Sequence, residues 1–102
     1  MIAEVISKPI YRILSDLTQE SRIDVALNLA VKDLLRLKLA EAERQQQAFA
    51  LRYGLEWQQF KQSWIQGHIE EQHSHKVEAD YWDWEAAVSD SERLQTMFDS
   101  LA

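Results

Sequence analysis

No cysteine occurs in the 102 residues, which excludes a disulfide framework, a zinc ribbon and a thiol nucleophile, and fits a reducing compartment. Glycine appears twice and proline once. Hairpins, sandwiches and phosphate-cradling loops need more of that punctuation, so the scarcity argues against an all-β fold and for helices. No apolar run approaches the roughly 18 to 20 residues of a membrane span, and Met1 to Lys8 lack the apolar stretch of a signal peptide. A soluble, cytoplasmic protein without membrane contact is the expectation. None of the serines stands in a nucleophile elbow, and no glycine-rich phosphate loop or His-Glu-x-x-His pair is present. His68, His73 and His75 sit near Glu70, Glu71 and Glu78, but their spacing matches no ligand pattern with a known mechanism. We therefore expect neither an enzyme nor a bound metal or cofactor.

What is present is unevenly distributed. The formal net charge is −6, yet the chain up to Tyr53 has 8 basic against 7 acidic residues and the remainder 3 against 10. The excess of acid thus lies wholly after Tyr53, and so do Trp57, Trp64, Trp82 and Trp84. An acidic half rich in indoles suits a basic protein partner better than nucleic acid. The length allows one domain, or a small core with an arm.

A mainly α fold follows from the periodicity. Met1 to Ile6 read as a short strand or a frayed tail, and Pro9 opens a helix with Ile10, Ile13, Leu14 and Leu17 on one side. Thr18 to Ser21 form a break and a new cap. From Arg22 to Tyr53 strong helix formers run without glycine or proline, predicting a rod of roughly 48 Å. Ile23, Ala26, Leu27, Ala30, Val31, Leu34, Leu35 and Leu37 give its first half a broad apolar face, whereas Ala42, Phe49 and Tyr53 leave only a thin stripe beyond. The core is accordingly expected near the N-terminal half, with Ile23, Leu27, Ala30, Val31, Leu34 and Leu37 as a homodimer seam. Gly54 stops the rod, a short helix spans about Glu56 to Gln66, and Gly67 to Lys76 read as a solvated linker. An acidic C-terminal helix is expected from about Val77 to Phe98, with a weak point at Ser89-Asp90-Ser91. Residues 1–54 form the helical and dimerisation region in this reading, and 55–102 the partner-binding region.

Two aromatic sets carry the functional question. Trp57, Phe60 and Trp64 fall within about 60° on a helix, a spacing more often core than ligand box. In the last helix Val77, Tyr81, Trp84 and Val88 share a stripe of similar width, and Trp82 lies at least about 100° outside it. One indole is left off the packing face, flanked by carboxylates. Tryptophan and tyrosine dominate interface hot spots, so Trp82 is a candidate protein-binding anchor unless a helix or second copy covers it.

The order Arg22-Ile23-Asp24-Val25-Ala26-Leu27, Lys32-Asp33-Leu34-Leu35, Phe49, Tyr53-Gly54-Leu55, Phe60, Trp64 and Val77-Glu78-Ala79-Asp80-Tyr81-Trp82-Asp83-Trp84-Glu85 resembles a group of small helical prokaryotic proteins, common in cyanobacteria and archaea, regarded as antitoxins of type II toxin–antitoxin pairs. The resemblance covers roughly residues 20 to 98 and is most specific in its last block. Glu56 departs from it, standing where the group places a serine or threonine cap, and Gln58-Gln59 replace its usual glutamate pair. Glutamate is the poorer cap, so a ragged start to the short helix is expected. The resemblance implies an antitoxin role; with the apolar face from Ile23 to Leu37 and the acidic, aromatic second half, the expectation is a dimer that neutralises a basic toxin, such as an RNase, by binding it. The partner-binding residues would be Trp57, Phe60, Trp64, Glu78, Asp80, Tyr81, Trp82, Asp83, Trp84 and Glu85. Two alternatives belong to other classes. One is a dimeric ribbon-helix-helix-like regulator on operator DNA, suggested by the strand–helix–helix order and opposed by a weak basic footprint. The other is a non-enzymatic helical adaptor.

Overall fold

The computed structural model describes residues 6–101, and the candidate N-terminal strand falls mainly on residues outside that range. Among the described residues the chain forms four helices and no strand: α1, Lys8–Thr18; α2, Ile23–Tyr53; α3, Trp57–Ile65; and α4, His75–Ser100. No helix among them is long and apolar enough to cross a membrane.

Most boundaries have a local cause; the start of α2 does not show one, because its N-cap is Arg22, which makes no side-chain capping hydrogen bond, and the cap expected between Thr18 and Ser21 is not formed. Ser7 caps α1 through its hydroxyl, which accepts from the Ile10 amide, and Pro9 stands in the first turn, where a missing N–H costs nothing. α1 ends when Gln19 turns left-handed (φ 55°). Gly54 ends α2 at φ 66°, a conformation glycine enters without steric cost, and its amide donates to the Ala50 carbonyl at 2.8 Å. The ragged start expected for α3 is not found. Gln59 reaches back so that its Oε1 accepts from the Glu56 amide at 3.0 Å, satisfying a donor the helix itself cannot. α4 starts two residues earlier than Val77 because the Ser74 hydroxyl accepts from the Val77 amide at 3.2 Å.

α2 and α4 run antiparallel as the body of the molecule. Arg52 meets Asp80, Gln46 meets Ser91, and the Arg36 guanidinium sits 5.2 Å from the Phe98 ring centroid, so residue numbers rise on one helix as they fall on the other. Small Ala42 and Ala87 are buried along this pair. The weak point expected at Ser89 to Ser91 is absent; α4 is continuous there, and Ser91 accepts from Gln46 Nε2 at 3.1 Å while donating to the Val88 carbonyl. The segment between α3 and α4 is also less solvated than its composition suggests. Gln72 Nε2 donates to the Trp64 carbonyl at 2.9 Å, and Ile69 packs against the core.

The core is not where the count of leucines places it. Its centre is Phe60, Tyr81 and Trp84, with Phe49, Tyr53, Leu55, Trp57, Trp64, Ile69 and Val88 around them. These residues come from the second half of α2, from α3, from α4 and from the segments that join them, so the core straddles the expected boundary at residue 54. The face at the start of α2 remains largely open: Val31, Leu34 and Leu37 are exposed. Two touching helices cover only the residues on their seam, and full burial needs a third body. α3 supplies that body at one end of the rod. The resulting shape is elongated, 56 × 24 × 22 Å, with a radius of gyration of 19.5 Å against about 13 Å for a compact chain of about 100 residues.

Candidate partner-binding surface

α4 holds seven carboxylates (Glu78, Asp80, Asp83, Glu85, Asp90, Glu92 and Asp99) against two cations, Lys76 and Arg93. Its packing face is set by Val77, Asp80, Tyr81, Trp84, Ala87 and Leu94, all buried. Trp82 projects away from that face with 61% of its surface exposed. It is steadied from one side, since the Tyr81 ring meets it edge-on at 5.1 Å between centroids. One turn to either side along the helix, Glu78 and Glu85 flank it, and Asp83 follows it directly. Among the described residues Asp83 and Glu85 have no ion-pair partner, and Glu78 meets only His73, at 4.0 Å. An exposed indole beside uncommitted carboxylates can take an apolar or cationic side chain on its face and a Lys or Arg head group at its rim.

The other residues expected to bind a partner are placed differently. Phe60, Tyr81 and Trp84 are buried, and Trp57 and Trp64 are half-buried against them. Trp64 stacks on Tyr81 at 4.4 Å, Phe60 lies 5.0 Å from Trp84, and Trp57 lies 5.4 Å from both Tyr81 and Trp84. Their surface is spent within the chain, which removes Phe60, Tyr81 and Trp84 from any docking surface in this conformation. Burial, followed by the charge of Glu85, raises the pKa of the Tyr81 phenol and so keeps it neutral.

Asp80 is also committed inward. It accepts from Arg52 Nη1 at 2.7 Å and from the Tyr53 hydroxyl at 2.6 Å. Burial alone would raise its pKa, but the Tyr53 and Arg52 hydrogen bonds, with the charges of Arg52 and Lys76, outweigh it and hold the carboxyl below its ordinary value. The same contact, after burial itself, pushes the Tyr53 phenol up to about 12. Asp80 therefore ties the end of α2 to the start of α4, on the side of α4 away from Trp82. This tie lies 28 positions apart in the chain and has no local signature.

A cleft of about 570 Å³ opens on another side, between α2 and α3, lined by Glu43, Gln47, Leu51, Glu56 and Trp57 over the buried edge of Trp84. Leu51, which the sequence reading did not single out, is 85% exposed there. Trp84 Nε1 has no hydrogen-bond acceptor. Among the described residues no group of three or more His, Asp or Glu side chains is gathered as a metal site. Comparison with protein-family models, with curated proteins and with solved structures gives no match.

Proposed function

We propose that this chain is a non-enzymatic binding protein of antitoxin type, which takes a basic protein, such as an RNA-cleaving toxin, on the acidic face of α4. The observation that carries the reading is Trp82, held exposed between Glu78 and Glu85 on a helix whose opposite face is fixed by Asp80. A large exposed aromatic on a rigid element loses little entropy on binding, and the carboxylates around it speed encounter with a cationic surface. The anchor role falls to Trp82 with Glu78, Asp83 and Glu85. Trp84 supports it from within the core. The near-neutral half is left to hold a second copy through Ile23, Leu27, Ala30, Val31, Leu34 and Leu37.

The test begins with the neighbouring reading frame. A small basic protein encoded beside this chain, toxic when expressed alone and co-purifying with it, is the expected finding. Trp82→Ala should then weaken the complex by at least about tenfold, and Glu85→Gln with Asp83→Asn should lower the association rate and its salt dependence. A complex formed equally well by Trp82→Ala would sink the assignment.

A further inference from the structure

We infer that two copies of this chain associate through the hairpin made by α1 and the first half of α2, with α1 as a full part of the interface. α1 is the reason. Its Ile10, Ile13, Leu14 and Leu17 form one stripe about 100° wide, yet no residue of α1 is buried. Ile13 is 58% exposed and Leu17 77%. A helix of 11 residues is marginal in water unless its apolar face is packed, and among the described residues that face finds little cover.

The neighbouring part of α2 has the same deficit. Ile23, Leu27, Ala30, Val31, Leu34 and Leu37 lie within about 120° around its axis, and Leu34 is 55% and Leu37 66% exposed. Taken together, Ile10, Ile13, Leu17, Val31, Leu34 and Leu37 present on the order of 600 Å² of apolar surface per copy, against roughly 800 Å² per partner in a standard stable interface. The polar rim of the same surface would supply the rest. A shallow depression lined by Asp33, Arg36, Leu37 and Ala40 borders this stretch at Leu37.

Charge disfavours a second copy at the acidic ends and tolerates one at the hairpin, where the exposed apolar area approaches what a stable interface buries. The chain after Tyr53 has 3 basic against 10 acidic residues, so two copies meeting there would repel. Around the hairpin the signs are mixed: Lys8, Arg12, Arg22, Lys32, Arg36 and Lys38 stand with Asp16, Glu20, Asp24 and Asp33, and Arg22–Asp24 and Arg36–Asp33 are already paired at 2.8 Å. Six cations against four acids leave each hairpin with a small positive charge, so a two-fold contact here repels far less than one between the acidic ends, buries the same patch on both copies and leaves those ends free. It is independent of the identity of any cationic partner.

Sedimentation equilibrium on the full chain tests the inference. Twice the chain mass is expected at micromolar concentration, and Leu34→Glu with Leu37→Glu, or Ile13→Glu with Leu17→Glu, should each give the single mass. Leu51→Glu, exposed but outside the hairpin, should remain double. All four tryptophans lie beyond Gly54, so their fluorescence reports whether each variant keeps its aromatic core. The chain has no cysteine, which makes Leu34→Cys and Leu51→Cys single-thiol variants; a short bismaleimide should couple the first between copies and not the second. A wild-type chain that stays monomeric, or a dimer that survives both double substitutions, overturns the inference, and so does coupling at residue 51 rather than 34.

Discussion

The two ends of the rod are built from similar numbers of apolar residues and reach opposite outcomes. At the Gly54 end, aromatic rings from α2, α3 and α4 surround one another until Phe60 and Trp84 are fully buried. At the other end, α1 lies beside the leucine-rich start of α2 and only Ala26 and Leu35 on that stretch are buried. The difference is one of closure. α3 crosses the α2–α4 seam as a third body, whereas among the described residues no third element lies over the pair formed by α1 and α2. Amphipathicity therefore marks a surface that needs covering, not the place where it is covered.

The largest expected effect breaks the aromatic end. Trp84→Ala removes the side chain on which Phe49, Phe60 and Trp57 converge, and should lower the unfolding free energy in urea by about 3–5 kcal/mol. Next comes the tie between α2 and α4. Asp80→Ala leaves Arg52 and Tyr53 without their shared acceptor and should cost about 1–3 kcal/mol, with the tryptophan emission shifted as the tie between α2 and α4 is lost. A smaller change sharpens the same contact by pH. Asp80 has a lowered folded pKa, so its contribution is fully present above the unfolded value near about 4 and is lost as pH falls through the folded one. Tyr53 has a raised folded pKa, so its contribution is fully present below an unfolded value near about 10 and is lost as pH rises toward about 12. Tyr53→Phe should flatten the alkaline part of the stability profile measured by urea titration. Least of all, Trp82→Ala should change stability by within about 0.5 kcal/mol, because that indole packs on little besides the edge of Tyr81. A large loss there would mean that Trp82 belongs to the core.

Much of the candidate surface was legible without coordinates, for a reason that is local. At 100° per residue, Trp84 and Tyr81 fall on one stripe with Val77, and Trp82 falls off it; the helix keeps that arrangement, burying the first three and exposing Trp82. Asp80 was not legible as a structural residue. In the chain it is one acid among several around Trp82, and only the arrival of Arg52 and Tyr53 turns its carboxylate inward. The position of the core was misjudged because leucines were counted along one helix, and nothing in α2 by itself shows that α3 folds back at Tyr53 and not at Leu34.

What the sequence by itself determined is the set of helices and their faces. A single proline in a first turn, glycine at positions 54 and 67, serine caps at 7 and 74 and long runs of strong helix formers fix these through interactions within a few residues. What only the tertiary structure decided is which faces close. Burial depends on a third element reaching the seam between two helices, and that meeting is settled by contacts between residues far apart in the chain, such as Arg52 with Asp80 and Gln46 with Ser91.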